Sequence, residues 1–391
     1  MAAREIENKI YSVGAIDWDR TLFDALIPLP HGTSYNSYLI QGSEKTALID
    51  TVEPTKFDQL KKSLVNLDVK KIDYIISNHA EQDHSGSIPA MLELYPGAKV
   101  VTNSKCRDFL IQLLHLPEEK FLVINDRDTL SLGDKTLEFI LAPWVHWPET
   151  MFTYLQEDKI LFSGDFLGSH LATSDLFAED QSNVLREAKR YYAEIMMPFA
   201  KSIRKHLQTV DDLNPAVIAP THGPVYDNPQ FILNAYKDWV SEDAKSEVVL
   251  LYVSMHGSTE QMAHYFLDVL MQRGVSVQPF NMMSADIGEI ALAMVDAATV
   301  VFASPAVLMG PHPNMVSAVY LINSLKPKTK YAAVIGSYGW GNKMVEQITS
   351  LMSGVKAEFL PPVLTKGLPS DQDFKELERL ADAIVEKHAD L

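Results

Sequence analysis

Hydrophobic and polar positions follow two different rhythms along this chain of 391 residues. From about residue 10 to 219, short apolar runs recur between turns, as in Ser37-Tyr38-Leu39-Ile40, Thr46-Ala47-Leu48-Ile49, Leu137-Glu138-Phe139-Ile140 and Lys159-Ile160-Leu161-Phe162. Runs of this length and composition predict β-strands. Helical segments lie between them, and in the helical stretch 180–207 Pro198 predicts a kink or break, since it has no amide proton and crowds the preceding turn. The expectation for this region is a layered α+β domain.

A polar stretch, Ser241-Glu242-Asp243-Ala244-Lys245-Ser246-Glu247, then introduces a new pattern. Val248-Val249-Leu250-Leu251-Tyr252-Val253 is continuously apolar, as in a parallel strand covered on both faces. A helical pattern over 259–273 follows, then Val275-Ser276-Val277, Thr299-Val300-Val301-Phe302-Ala303, a helix near 315–325, and Tyr331-Ala332-Ala333-Val334-Ile335. Strands alternating with helices predict a doubly wound α/β domain. The boundary is expected within a few residues of Lys245, giving domains of 1–245 and 246–391.

Composition narrows the function. Hydrophobic residues at 47% and charged residues at 22% describe an ordinary globular chain long enough for two cores. A formal charge of −17 without a basic patch argues against nucleic acid as a partner. The amino-terminal residues lack the apolar core of a signal peptide and no apolar run approaches a membrane span, so the expected location is cytoplasmic, with no membrane partner. Cys106 is the only cysteine, so redox chemistry here must use other metal ligands or an organic cofactor.

The densest chemistry lies in Asn78-His79-Ala80-Glu81-Gln82-Asp83-His84-Ser85-Gly86, directly after the apolar Tyr74-Ile75-Ile76. Such a run is expected to set alternating ligands at a strand end and the loop beyond it. A lone histidine beside an apolar stretch is ordinarily a satisfied core or surface residue. Four ligand-type residues within six positions would instead leave excessive polarity beside a core unless a cation neutralised it. With His146, Asp165 and His222, each after an apolar segment of its own, there are enough ligands for two metals.

The second half carries three strand-end loops. Ser254-Met255-His256-Gly257-Ser258-Thr259-Glu260 leads into a helix, whose free amides and dipole favour a phosphate; by itself it reads equally well as a plain helix cap. Ser304-Pro305-Ala306-Val307-Leu308-Met309-Gly310 and Ser337-Tyr338-Gly339-Trp340-Gly341-Asn342 follow later strands. Open α/β sheets bind ligands outside the carboxyl ends of their strands, and Tyr338 and Trp340 suit a flat ring. The three loops together fit flavin mononucleotide (FMN), while the dinucleotide Gly-x-Gly-x-x-Gly pattern is absent after that first strand.

On these motifs the first half resembles the metallo-β-lactamase fold, an αββα sandwich, and the second resembles flavodoxin. In this order the chain resembles a flavodiiron protein. The departure from the hydrolase motif His-x-His-x-Asp-His is Glu81, whose carboxylate makes a harder pocket suited to iron rather than zinc. The resemblance implies one iron held by His79, Glu81 and His146, a second by Asp83, His84 and His222, and Asp165 as the bridge. It also implies Tyr192 near the metal pocket, with His170 approaching from the loop after Asp165; each is otherwise explained by packing or a loop hydrogen bond. Implied too are reduction of O2 to water or NO to nitrous oxide, electrons from an external donor by way of FMN, and a head-to-tail homodimer or a dimer of dimers. Rubredoxin or a reduced deazaflavin is the implied donor. The rival readings are a zinc hydrolase with a flavodoxin-like module, disfavoured by Glu81, and a passive electron carrier with a structural metal.

Overall fold

Two hydrophobic cores of different construction organise the protein, whose computed structural model describes residues 3–391. The chain divides into two compact units, one comprising Met1–Tyr192 with Phe199–Val240, the other Ser241–Leu391 together with Ala193–Pro198.

In the first unit two sheets lie face to face. One has seven strands in the order Arg4–Glu7, Ile10–Ser12, Tyr38–Gln41, Thr46–Ile49, Tyr74–Ile76, Lys99–Asn103 and Phe121–Ile124. Its early pairs are antiparallel and its last three pairs parallel. The other has five strands, Thr129–Ser131, Thr136–Leu141, Met151–Leu155, Ile160–Gly164 and Val217–Pro220, with only the final pair parallel. Strand alternation directs Ile40, Ile49, Ile76 and Val101 from one sheet against Phe139, Met151, Phe162 and Ala219 from the other, forming the central core. The opposite face of the first sheet, through Leu39, Leu48, Ile75 and Val100, packs on Leu60, Met91, Cys106 and Leu110 of three helices, Phe57–Asn66, Ile88–Leu94 and Ser104–Leu114. On the outside of the second sheet Phe152 stacks on Phe166, 5.5 Å between ring centres, with His206 and Tyr236 from outer helices against this pair. The result is the expected αββα sandwich.

The expected helix over 180–207 is four pieces. Gln181–Tyr191 is α-helical, Tyr192–Met196 widens into a π turn, Met197–Phe199 tightens, and Ala200–Leu213 resumes the α-helix. Pro198 falls in this tight turn, where a residue without an amide proton cannot continue the α-helical ladder, and the expected break is there.

The second unit is a parallel sheet in the order Ser276–Asn281, Lys245–Tyr252, Ala297–Val307, Tyr331–Tyr338, with Glu358–Phe359 and Val363–Lys366 along the far edge. Helices Ser258–Gln272 and Asp371–His388 cover one face; Ile287–Met294, Pro313–Leu325 and Met344–Leu351 cover the other. Because the first strand sits between the second and third, the sheet reverses its winding beside Lys245–Tyr252, and a crevice opens at the carboxyl ends there. Among the described residues no helix is long and apolar enough to cross a membrane.

Candidate metal centre and flavin pocket

All but one of the candidate metal ligands emerge from the carboxyl ends of parallel strands in the two sheets of the first unit. After Tyr74–Ile76 the chain leaves the sheet, and His79 and Glu81 lie on the loop. The loop closes into a single helical turn, Gln82–Ser85, so Asp83 and His84 sit on that turn rather than continuing a strand-like alternation. Asp165 directly follows Ile160–Gly164, and His222 follows the neighbouring Val217–Pro220. The pairing of Gly164 with Pro220 brings these two side by side. His146 arrives on the connection between Thr136–Leu141 and Met151–Leu155.

All seven side chains meet. His146 Nε2 lies 2.9 Å from Glu81 Oε2 and 3.0 Å from Asp165 Oδ2. His79 Nε2 is 3.3 Å from the same Asp165 oxygen. Across the cluster His84 Nε2 stands 3.0 Å from Asp83 Oδ2, 3.0 Å from His222 Nε2 and 3.1 Å from Asp165 Oδ1. His222 Nε2 is 3.2 Å from Asp83 Oδ2 and 3.8 Å from Asp165 Oδ1. Asp165 therefore turns Oδ2 toward one group of ligands and Oδ1 toward the other.

Hydrogen bonds, such as that between His146 Nε2 and Asp165 Oδ2, satisfy only part of this cluster. Both carboxylate oxygens of Asp83, Glu81 Oε2 and Nδ1 of His84 are buried without a hydrogen-bond partner among the described residues. Leaving such groups unsatisfied costs about 1–3 kcal/mol apiece, more when charged. The separations have a simple explanation in coordination geometry. Donors at ~2.1 Å from one ion and at right angles to each other stand ~3.0 Å apart, close to the spacings above. The donor set thus fits two cations, with N and O ligands suited to iron.

The electrostatics agree. Burial alone would push the His146 pKa down, yet hydrogen bonds and charge from Asp165 and Glu81 lift it to about 10. Burial likewise opposes, and the charges of Asp83 and Asp165 overcome that opposition, to hold His84 well above the usual imidazole range. Asp165 is buried, which favours its neutral form, but His79 and His84 hold it well below the carboxylate range. The carboxylates call for positive charge in this space.

Surrounding groups orient the ligands. The Nδ1 of His222 donates to the Ser34 carbonyl at 2.6 Å; a carbonyl only accepts, so Nδ1 carries the proton and Nε2 is the nitrogen turned to the cluster as a ligand atom. Glu149 accepts from the Ala80 amide at 3.0 Å through Oε1, tying the loop of His79 and Glu81 to the loop of His146. Asp50 accepts from the backbone and side-chain amides of Asn78, both at 2.8 Å.

His170 reaches the cluster: its ring centre is 4.8 Å from that of His222, its Nδ1 is 2.9 Å from the Thr33 hydroxyl, and its Nε2 has no hydrogen-bond partner among the described residues. Burial, reinforced by the charge of His222, holds its pKa well below the imidazole range, so it is neutral. Tyr192 is a correction. Its hydroxyl donates to the Trp239 carbonyl at 3.3 Å and its ring packs on Tyr236 and Trp239. The preceding Tyr191 faces the cluster instead, with ring centres 4.8 Å from His170 and 5.8 Å from His222. Successive residues on a helix point ~100° apart, so only one of the two tyrosines can face inward. Sequence reading also passed over Phe23, whose ring lies 4.8 Å from that of His170, and Thr221, which offered the signal of adjoining His222.

In the second unit an open cavity of about 340 Å³ is lined by Ser254, Met255, His256, Ser258, Thr259, Pro305, Ala306, Ser337, Tyr338, Gly339, Trp340 and Gly367. Gly257 has φ +87° at the start of helix Ser258–Gln272, a conformation that turns the chain into the helix without a Cβ penalty. The Thr259 and Ser337 hydroxyls are 2.9 Å apart, joining two of the loops. Hydroxyls at a helix amino terminus suit a phosphate, and the exposed Trp340 suits a ring. Gly257, Ser304, Leu308 and Gly341 do not line the cavity. Ser304 is buried and accepts from the His312 amide, while Leu308 is 90% exposed. Gly367, beyond Val363–Lys366, was missed although it too follows a strand.

Comparison with known proteins matches residues 33–223 to the ODP family beta lactamase model and residues 250–379 to the flavodoxin model. A nitric oxide reductase of Moorella thermoacetica is 34% identical, the match covering 98% of each chain. A coenzyme F420H2 oxidase of Methanothermobacter marburgensis is 34% identical over 86% of this chain and 87% of its own length. Among solved structures, the rubredoxin oxygen:oxidoreductase of the anaerobe Desulfovibrio gigas superposes with a TM-score of 0.95 at 29% identity, covering 99% of this chain and 98% of that one. The flavodiiron protein of Giardia intestinalis follows at 0.92 and 30%, with the same coverage.

Proposed function

Belonging as it does to the flavodiiron protein family, the chain is an oxidoreductase whose cofactors are FMN and two non-haem irons, and we propose that it reduces O2 to water, NO to nitrous oxide, or both. In this reading residues 1–245 form the diiron domain and 246–391 the FMN domain, in the cytoplasm. His79, Glu81 and His146 hold one iron; Asp83, His84 and His222 hold the other. The observation that carries the assignment is the division of Asp165, with Oδ2 at 3.0 Å from His146 and Oδ1 at 3.1 Å from His84.

When bound, an iron pair held by these seven side chains would supply electrons and Lewis acidity to a diatomic substrate, and FMN would supply the relay from a donor. The chain's own groups set the conditions. The Nδ1–H of His222, engaged by the Ser34 carbonyl, holds the ring with Nε2 turned inward. Reduction of O2 to water consumes four protons with its four electrons. Among the described residues His170 Nε2 and the buried Tyr191 hydroxyl have no hydrogen-bond partner; these are the groups we assign to proton or hydrogen-bond donation. Phe23, against both His170 and His222, keeps water from this side of the cluster. Ser254, Met255, His256, Gly257, Ser258 and Thr259 form the phosphate end of the flavin site, and the loops at Pro305–Ala306 and Ser337–Trp340 its ring end.

Relatives named for NO, O2 with rubredoxin, and F420H2 support this range of substrates and donors, with rubredoxin or a reduced deazaflavin as the external source. A head-to-tail homodimer, alone or as a dimer of dimers, belongs to the same proposal. Mixing an Asp165→Ala chain with a chain blocked at Gly257 should restore activity that neither homodimer has.

Anaerobically reduced protein mixed with O2 or NO in a stopped-flow instrument tests the function. Rapid flavin reoxidation is expected, slowed at least tenfold by Asp165→Ala with FMN content unchanged. Equal rates in both proteins would mean that the flavin reacts directly and the metal centre is not the reductase site.

A further inference from the structure

We infer that Thr221 is a positioning residue of the metal centre, holding the Asp165 carboxylate in the rotation that gives one oxygen to each iron. The inference rests on the ligand assignment above. The Thr221 hydroxyl donates to Asp165 Oδ1 at 2.6 Å, within the short range of charge-assisted O–H···O⁻ bonds. Both residues are buried, at 1% and 3% exposure, so water does not compete for the bond.

The hydroxyl is itself held in place. The Thr221 amide donates to the Gly164 carbonyl at 3.0 Å, and its carbonyl accepts from the Asn36 amide at 2.7 Å. Gly164 immediately precedes Asp165, so Thr221 grips the strand end through the backbone and the carboxylate through the side chain. The other side-chain partners of Asp165 are rings of His146, His79, His84 and His222. Once those rings give their Nε2 lone pairs to metal they no longer donate to Asp165, and the Thr221 hydroxyl remains. Without such a donor the carboxylate would have no fixed rotation about its Cβ–Cγ bond before the metals bind, whereas the Thr221 hydroxyl presets it.

The bond also makes the two oxygens unequal. Oδ1, which faces His84 and His222, carries the Thr221 hydrogen bond, whereas Oδ2, which faces His79 and His146, does not. Losing the hydroxyl should therefore fall on one iron more than the other.

The test is anaerobic competition for Fe(II) between the full-length, FMN-loaded protein and chelators of graded strength, read as iron retained per chain. Thr221→Val keeps the shape and removes the hydroxyl; Thr221→Ser keeps the hydroxyl and removes the methyl. Loss of an outer partner typically weakens metal binding ~10–100-fold, so Thr221→Val should lower the affinity of one iron by that factor, leaving the other within about threefold, while Thr221→Ser stays within about threefold for both. If Thr221→Val fails to fold, as judged by near-ultraviolet circular dichroism, Thr221→Ser against Thr221→Ala carries the same contrast, with equal packing loss and only the hydroxyl different. The inference is overturned if the hydroxyl-free variants match wild type, if Thr221→Ser falls as far as they do, or if both irons weaken together. A wild-type chain that binds fewer than two irons would instead overturn the ligand assignment on which the inference stands.

Discussion

Replacing Asp50 should separate the geometry of the ligand loop from its charge. Asp50 accepts the backbone amide of Asn78 on Oδ1 and its side-chain amide on Oδ2, while the Thr153 hydroxyl donates to Asn78 Oδ1, all at 2.8 Å. Asn78 precedes His79, and its carbonyl accepts from the Met151 amide at 2.8 Å, so these bonds fix the start of the ligand loop. Asp50→Ala removes two charge-assisted bonds at ~1.5–3 kcal/mol each and leaves two buried donors unpaired. Asp50 also has φ +52°, where alanine adds ~1 kcal/mol of strain and asparagine is tolerated. The expected loss for Asp50→Ala is ~4–7 kcal/mol. Asp50→Asn should cost only ~1–2 kcal/mol, because the Asn78 amide can rotate and the Thr153 hydroxyl can switch from donor to acceptor. Adding Thr153→Val to Asp50→Asn blocks that switch and should cost ~1–3 kcal/mol beyond the sum of the single changes. Urea unfolding followed by tryptophan fluorescence reports this unit, which holds Trp18, Trp144, Trp147 and Trp239 of the five tryptophans. Asp50→Asn as damaging as Asp50→Ala would show that the charge, not the bond pattern, matters, and additive double-mutant values would refute the proposed rotation.

Two further outcomes are expected. Glu81→His should shift metal occupancy toward zinc while FMN stays bound, measured by elemental analysis and flavin release; unchanged iron would mean that the other ligands decide the metal. In the second unit, His388 has Nδ1 at 3.0 Å from the Ser246 hydroxyl and Nε2 at 2.7 Å from that of Thr299, and burial lowers its pKa from 6.5. Since the unfolded chain takes up this proton more readily, the contribution is present above about pH 6.5 and is lost as pH falls through the depressed folded value, so thermal melts between about pH 7.5 and 5.5 should show a shallower pH slope for His388→Gln than for wild type.

Much of this architecture was legible because strands and their ends leave strong local signals. The apolar run Tyr74-Ile75-Ile76 followed by His79, Glu81, Asp83 and His84 marks a strand end, and the continuous apolar Val248-Val249-Leu250-Leu251-Tyr252-Val253 marks a doubly covered strand. Helix register is harder to read: Tyr191 and Tyr192 are equal candidates in sequence, and the turn that directs Tyr191 inward is fixed by tertiary packing. Backbone partners are also invisible to side-chain reading, as with the Ser34 carbonyl that sets the tautomer of His222 from 188 positions away. Loop residues behave similarly. The exposed Leu308 and buried Ser304 share a strand-end segment with Pro305 and Ala306, and only the path of the loop decides which of them face the cavity.

The most direct test of the central claim is Mössbauer spectroscopy of protein grown on ⁵⁷Fe and oxidised. Two pockets sharing the Asp165 carboxylate predict about two irons per chain in a magnetically coupled ferric pair with a diamagnetic ground state, and loss of that coupling in Asp165→Ala. Isolated paramagnetic high-spin ferric signals in the fully loaded wild-type protein, or zinc filling both pockets under iron-replete growth, would contradict it.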